Sequence, residues 1–386
     1  MEDFSRLISF PNDYSFFLFG PRGVGKSTVI QKRFAKNSLY INLLDPKQET
    51  RFINDPNELE NIVRNLEPNI SHVIIDEVQK IPALLDLVHL LIETQKRYFI
   101  LTGSSARKLK RGNANLLAGR AFTYNLYALT SIELGASFDL NHALHWGMLP
   151  KLYQFDNDAH KQDFLESYAH TYLKEEIWAE QFIKDLDPFR KFLEVAAQMN
   201  GKILNISKIA RDTGVDDTTI KRYYSILEDT LIGFFLNAYQ DSFRKQLSTK
   251  PKFYFFDTGV VRALSYNLSS KLRESTFAYG NALEHFVILE CIKLASYHKK
   301  EYRFSYLKTK DNAEIDLVVQ RPNKPILFIE IKSSKQVRQE DLSGFTRLVN
   351  DYGKCEAVCF SRDDYVKNFG AIKVYPWQEG IKKFFT

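Results

Sequence analysis

The sequence predicts an α/β protein: a parallel-sheet domain first, a helical segment with a short hairpin next, and a second α/β unit to close the chain. Three observations predict it. The apolar run Phe16–Phe19 ends in a glycine-rich turn that opens into a helical sequence. Further apolar runs then alternate with helix-period segments, the pattern of a parallel sheet. After residue 270 a long helical stretch precedes several apolar runs that carry carboxylates.

The first run and its turn, Gly20-Pro21-Arg22-Gly23-Val24-Gly25-Lys26-Ser27-Thr28, hold the spacing G-x-x-x-x-G-K-[ST] of a phosphate-binding loop. Glycines let the backbone curl with its N–H groups facing phosphate oxygens. Lys26 can reach the terminal phosphates, the Ser27 hydroxyl can ligate Mg²⁺, and the helix N-terminus favours an anion. Ser38–Leu43 reads as a second strand. Residues 56–66 read as a helix, with Asn57 as cap and Leu59, Ile62, Val63 and Leu66 on one face.

His72-Val73-Ile74-Ile75 is a buried strand that ends in Asp76-Glu77. Ligands of such sheets lie beyond the strands' C-terminal ends, where both the loop and these carboxylates fall. Asp76 can hold Mg²⁺ through its water shell, and Glu77 can polarise a water for attack on a γ-phosphate. Tyr98–Ser105 is the next strand. Thr102 or Ser104 can hydrogen-bond the γ-phosphate or the lytic water, the alternative being a plain strand-to-loop turn. A basic stretch follows with Arg107, Lys108, Lys110 and Arg111, then Gly119-Arg120.

These motifs, with Leu117-Ala118-Gly119-Arg120 and Tyr127–Leu134 in this order, resemble a family of prokaryotic AAA+-like ATPases. Their C-terminal half is a domain of formally unknown function that looks like a PD-(D/E)xK nuclease. The resemblance implies ATP with Mg²⁺ as cofactors, and Arg120 as an arginine finger acting on a neighbouring subunit's nucleotide; a trans-acting arginine needs a homo-oligomer, whereas a cis-acting one does not. The residues alone say less: an Arg after a glycine in a basic loop can supply transition-state charge or simply face solvent.

From Leu134 to Arg190 the pattern turns helical. Lys161–Trp178 carries Phe164, Leu165, Tyr168, Tyr172, Leu173 and Ile177 at helical spacing. His142 and His145 lack a completing carboxylate or cysteine and read as packing histidines. Phe189–Met199 is another amphipathic helix. Ile206–Asp212, ending at Thr213-Gly214, and Thr219–Asp229, preceded by Asp216, Asp217 and Thr218, outline a helix-turn-helix. Leu231–Leu236 and Lys252–Phe256 read as a hairpin, making a winged helix. Lys221 and Arg222 on the second helix are balanced by Asp217, Glu228 and Asp229. Arg244, Lys245, Lys250 and Lys252 in one loop can track the phosphates of DNA. The alternative is a protein–protein module.

Ala278–Ala295 is a helix with Leu283, Phe286, Val287 and Cys291 inward, carrying Glu284 and Glu290. Strands at Tyr302–Leu307, Glu314–Val319 and Ile326–Lys332 follow, then a helix at Leu342–Val349 and a strand at Glu356–Phe360. That order resembles the core of the PD-(D/E)xK fold. Glu330 and Lys332 alternate to one side of their strand, and Asp316 falls on the preceding strand. Asp316 and Glu330 can seat Mg²⁺, and Lys332 can position its water. Glu284 matches the helical glutamate that completes such sites in the family pattern.

Length and composition set the outer bounds. At 386 residues the chain is expected to hold two or three domains, and 44% hydrophobic with 26% charged residues is the balance of an ordinary soluble globular protein. A net charge of +6 is compatible with DNA without demanding it. Cys291, Cys355 and Cys359 form no CxxC and suit buried thiols in a reducing cytoplasm. The N-terminus lacks the order of a signal peptide, and no uncharged apolar stretch approaches the ~18 residues of a membrane span. The expected divisions are 1–135 (ATPase), 136–190 (helical linker or lid), 191–265 (winged helix) and 270–386 (nuclease-like). The functional expectation is ATP hydrolysis coupled to DNA binding and to DNA processing by the C-terminal domain. The alternative is an ATP-driven switch that binds a protein partner, its nuclease-like domain inert.

Overall fold

The computed structural model describes residues 4–104, 117, 119–172, 186–240, 250–309 and 313–386. Ser105, Arg107, Lys108, Lys110, Arg111, Ala118, Leu173, Ile177, Trp178, Arg244 and Lys245 lie outside the described residues. The chain divides into two units. One comprises Met1–Leu129 with the short pieces Leu149–Lys151 and Ser225–Ile232, and the other takes the remainder.

The first unit is built on β1 (Ser15–Phe19), α1 (Lys26–Phe34), β2 (Ser38–Asn42), α2 (Pro46–Asn54), α3 (Glu58–Arg64), β3 (His72–Asp76), α4 (Leu84–Thr94), β4 (Tyr98–Gly103) and β5 (Ala121–Asn125). The five strands lie in the order β2-β3-β4-β1-β5, and every pairing is parallel. β1 and β3 are buried along their whole length, which is why they read as unbroken apolar runs. Phe17, Phe19, Val73, Ile75, Phe99 and Leu101 share one core with Phe52, Leu59, Val63, Leu84, Val88 and Leu91 of the helices. The sheet's two ends therefore face opposite ways, and all loops that follow a strand's C-terminus share one edge.

Three elements of this unit, α2, α4 and β5, are not among those the sequence singles out. β5 is an edge strand whose residues remain half-exposed or exposed, so it carries no apolar run. α2 starts at Pro46 behind Asp45, whose carboxylate accepts from the Lys47 N–H at 2.9 Å. The helix expected at 56–66 is shorter, and Asn57 makes no side-chain capping bond. Its own N–H instead donates to Asp55 at 3.0 Å.

The second unit opens with α5 (Ser131–Leu134), α6 (Leu140–His145) and α7 (Asp158–Ser167). α7 does not continue as one α-helix toward residue 178; at Tyr168–Tyr172 it widens into a π turn. α8 (Leu186–Gln198), α9 (Ile206–Thr213) and α10 (Asp217–Asp229) follow. Asn205 caps α9, Gly214 ends it in the left-handed region at φ 74°, and Asp216 accepts from Thr219 N–H at 2.9 Å to start α10. β6 (Gly233–Leu236) and β7 (Lys252–Phe255) pair antiparallel.

After α11 (Thr258–Leu264) and α12 (Phe277–Tyr297) comes a mixed sheet. Its strands are β8 (Arg303–Lys308), β9 (Glu314–Gln320), β10 (Ile326–Ile331), β11 (Cys355–Ser361), β12 (Lys367–Phe369) and β13 (Ile372–Pro376). They lie in the order β12-β13-β11-β10-β9-β8. α13 (Ser343–Tyr352) packs Phe345 and Val349 against Val318, Phe328 and Cys359. α14 (Trp377–Phe385) brings Trp377 edge-on to Phe286 of α12, with ring centroids 5.3 Å apart. His142 and His145 are packing groups. Burial lowers the pKa of His142 to about 4, and the ring of His145 meets Leu268 O at 2.9 Å.

Candidate functional site

The loop between β1 and α1 is shaped for an anion. Gly23 and Gly25 take positive φ, 81° and 93°, which lets successive N–H groups turn inward. Gly20 is forced by close approach: a Cβ there would meet Leu126 O at 2.3 Å. α1 has no side-chain cap and no acid in its first turn, so no side chain competes for its N-terminal N–H groups. Lys26 is buried and donates back to Gly20 O at 2.8 Å and Pro21 O at 3.2 Å. Arg6, which the sequence does not single out, ties the loop down by donating to Val24 O at 2.7 Å and Tyr127 O at 2.6 Å. The uncapped helix and glycine cradle fit a phosphate chain.

The acidic strand end lies at the same edge. Asp76 is 2% exposed and accepts hydrogen bonds from the Thr102 hydroxyl on β4 and the Tyr40 hydroxyl on β2. Burial and then the Asp76 carboxylate raise the pKa of the Tyr40 phenol, keeping it a donor. Glu77 takes the left-handed region at φ 61°, and its N–H donates to Thr102 Oγ1 at 3.2 Å. Gln79 is a further member. Its amide donates to the Glu77 carboxylate and, at 3.3 Å, to Ser104 Oγ, while its Oε1 is buried without a partner. The edge thus gathers Lys26, Ser27, Asp76, Glu77, Gln79, Thr102 and Ser104. The Asp76 carboxylate and the Ser27 hydroxyl, both in contact with the Tyr40 hydroxyl, are oxygen donors that would hold a hard cation at this edge.

Arg120 lies elsewhere. It precedes Ala121, which pairs with Ser15 at the start of β1, so it stands at the sheet's N-terminal edge. The five residues of β5 separate that edge from the loop by roughly 16 Å. There Arg120 is half-exposed and paired with Glu93 of α4, whose pKa it lowers. It cannot complete its own chain's loop; any role toward a nucleotide would be played on another copy.

In the second unit β9 and β10 run antiparallel with Leu317 opposite Ile329, which sets Asp316 opposite Glu330. Asp316 Oδ2 accepts from Ile331 N–H at 2.7 Å, and Lys332 Nζ pairs with Glu330 at 2.7 Å. Burial first, then Glu330 and Glu284, push the Asp316 pKa well up, so Glu284 on α12 belongs to the same electrostatic cluster. Burial also raises the Glu330 carboxyl against the opposing pull of Lys332. Glu290, on the same helix, is fully buried and accepts from Ser131 N–H at 2.8 Å and Oγ at 2.6 Å; it is a structural group.

One expectation is overturned here. Lys252 is no surface cation of the wing. It is 3% exposed, and its ammonium lies 2.5 Å from Glu314 and 3.4 Å from Glu284. Burial alone would lower its pKa, but Glu284 and Glu314 outweigh that and raise it. Tyr254, two residues on, donates to Glu284 at 2.7 Å. Among the described residues no three carboxylate, histidine or cysteine side chains converge as a metal-holding group. Asp316 and Glu330 stand as a pair of oxygen donors, with Glu284 engaged by protein groups.

Three family comparisons cover most of the chain. Residues 12–135 match an AAA domain, residues 137–272 a domain of unknown function (DUF8612), and residues 279–379 a domain of unknown function (DUF4143). An uncharacterized protein of Mycobacterium tuberculosis is 26% identical over 318 residues, covering 82% of this chain and 69% of that protein. An uncharacterized protein of Haemophilus influenzae is 21% identical over 378 residues, covering 90% of each. Among solved structures, the Aeropyrum pernix ORC1 protein in complex with DNA aligns at 12% identity and TM-score 0.22, covering 66% of this chain and 87% of that one. Can2 from Sulfobacillus thermosulfidooxidans with cyclic tetra-adenylate aligns at 11% identity and TM-score 0.23, covering 96% and 98%. The first unit's parallel sheet, its phosphate loop and the match over residues 12–135 together make this part of the chain an AAA-like P-loop ATPase domain.

Proposed function

We propose that the chain hydrolyses ATP with Mg²⁺ and that the cycle drives a C-terminal half that binds DNA. The observation that carries this reading is the shared sheet edge, where the glycine loop, Asp76, Glu77, Thr102 and Ser104 converge. Lys26 and the loop N–H groups bind the phosphates. Ser27 and Asp76 hold Mg²⁺, which neutralises phosphate charge when bound. Glu77 orients the attacking water, Thr102 or Ser104 reads the γ-phosphate, and Arg120 acts on a neighbouring copy's nucleotide in a homo-oligomer. No described helix is long and apolar enough to cross a membrane, and we place the protein in the cytoplasm, where its three cysteines stay reduced.

We read the chain as an ATPase part (1–135), a helical linker (136–190), a winged helix (191–265) and a PD-(D/E)xK-like part (270–386). The capped pair α9–α10 with β6–β7 supports the third. The order helix, three strands, helix, strand, with Asp316 opposite Glu330, supports the fourth. ATPase rates measured against single-stranded, double-stranded and branched DNA, with Lys26→Ala as the blank, test the coupling. Stimulation by DNA is expected; rates indifferent to every DNA would reject the DNA-driven cycle. A second reading is favoured by the pairing of Lys252 with Glu284 and Glu314: an inert nuclease-like fold that serves an ATP-driven switch for a protein partner. DNA-independent hydrolysis with a co-purifying protein would support it.

A further inference from the structure

The sequence places Lys252 in the basic loop of a DNA-binding wing; the structure places it among carboxylates. Its strand explains the placement. Lys252 and Tyr254 lie two residues apart on β7 and point to one side, toward Glu284 of α12 and Glu314 of β9. The start of β7 is held in register: Leu204 N–H donates to Pro251 O at 2.9 Å, the Tyr306 hydroxyl donates to Lys250 O at 2.5 Å, and Ile203 bridges Lys252. A buried lysine is tolerated only when paired. Here it has two partners, and Lys308 reaches Glu314 from the other side at 3.7 Å.

Four acidic side chains share this cluster with three lysines. Glu284, Glu314, Asp316 and Glu330 are met by Lys252 and Lys332, with Lys308 at the more exposed margin. Glu330 is 9% exposed, and its Oε2 has no hydrogen-bond partner. A buried carboxylate oxygen without a donor is costly and points to a cation that can be taken up. A cavity of about 350 Å³ lined by Lys252, Tyr254, Phe277, Asn281, Glu284 and Glu314 opens on the Lys252 side of this cluster.

We propose that the Lys252 ammonium is the resident cation of this carboxylate cluster, and that a divalent cation binds Asp316 and Glu330 strongly only when Lys252 is neutralised or withdrawn. The inference rests on reading Asp316 and Glu330 as a metal pair. Lys252 holds Glu284 and Glu314 as ligands of an ammonium, and its charge repels a second cation.

The test is Mn²⁺ binding to the full, nucleotide-free chain, read as the electron paramagnetic resonance signal of free Mn²⁺. Lys252→Met is expected to bind Mn²⁺ about tenfold or more tighter than the natural chain, the scale on which groups around a metal site move affinity. Adding Asp316→Asn is expected to abolish the gain. Lys252→Met with Glu314→Gln leaves no new unpaired charge at that contact, and is expected to exceed Glu314→Gln alone. ATP hydrolysis and circular dichroism check folding of every variant. Equal, Asp316-dependent binding with and without Lys252 would overturn the role of Lys252 while sparing the metal pair. No Asp316-dependent binding in any variant would overturn the metal pair, and the proposal with it.

Discussion

Gln79 is the residue whose position adds most to the ATPase edge. Glu77 stands in a left-handed backbone conformation that a glutamate adopts at some cost, so its side chain is aimed rather than free. The Gln79 amide fixes that aim from one side and holds Ser104 on the other. A Cβ at Gly103 would come within 2.6 Å of Gln79 Oε1, so the strand end leaves the glutamine its room. Gln79→Ala is expected to lower kcat for ATP hydrolysis roughly 10- to 100-fold with little change in KM, because Glu77, proposed to orient the attacking water, loses its aim while phosphate binding stays. Steady-state kinetics decides it, and an unchanged kcat would remove Gln79 from the site.

At the scale of elements, β5 and the turn after it make two separable demands. Leu126 N–H donates to Phe19 O at 2.7 Å, which brings the chain beyond β5 against Gly20 and leaves no space for a Cβ. Gly20→Ala is expected to destabilise the first unit by about 1–3 kcal/mol, as overpacking does, measurable as a lower urea midpoint. The other end of β5 carries Arg120, a strand's length from its own loop. If it acts on a neighbour, Arg120→Ala and Lys26→Ala chains, each inactive alone, are expected to regain hydrolysis when mixed. Mixed oligomers then contain an intact loop facing an intact arginine. A mixture as inactive as its components would make Arg120 a surface residue paired with Glu93.

For the molecule as a whole, buried histidines make stability depend on pH. His285 is 2% exposed, its Nε2 meets Phe255 O at 2.7 Å, and burial lowers its pKa to about 4. In the unfolded chain it titrates near 6.5. Between those values the unfolded state binds a proton that the folded state refuses, so this group's contribution is present above pH 6.5 and lost as pH falls toward 4. The slope approaches ~1.4 kcal/mol per pH unit for one such group. Urea midpoints at about pH 7.5 and 5.5 are expected to differ less in His285→Gln than in the natural chain. His142, also lowered to about 4, adds a contribution of the same sign.

The sequence by itself determined what depends on contiguous residues. Gly20–Ser27 is legible because loop, lysine and helix start are neighbours in the chain, and β3 because a strand buried on both faces must be apolar until its carboxylate end. Asp316, Glu330 and Lys332 were legible as a pattern because the period of a strand fixes which residues share a side. Tertiary structure decided the rest. Glu284 and Glu290 look alike on one helix, yet one meets Lys252 and Tyr254 while the other caps α5. Tyr40, Gln79 and Arg6 gain their places from partners 18 to 121 residues away or from a backbone turn. Lys252 is the clearest case: beside a basic loop it reads as a solvated phosphate contact. Its carboxylate partners come from Glu284 and Glu314, and only the packing of β7 against α12 and β9 brings them to it. Charge in a sequence has a sign but no surroundings, and those surroundings decide whether a lysine meets solvent or its own site.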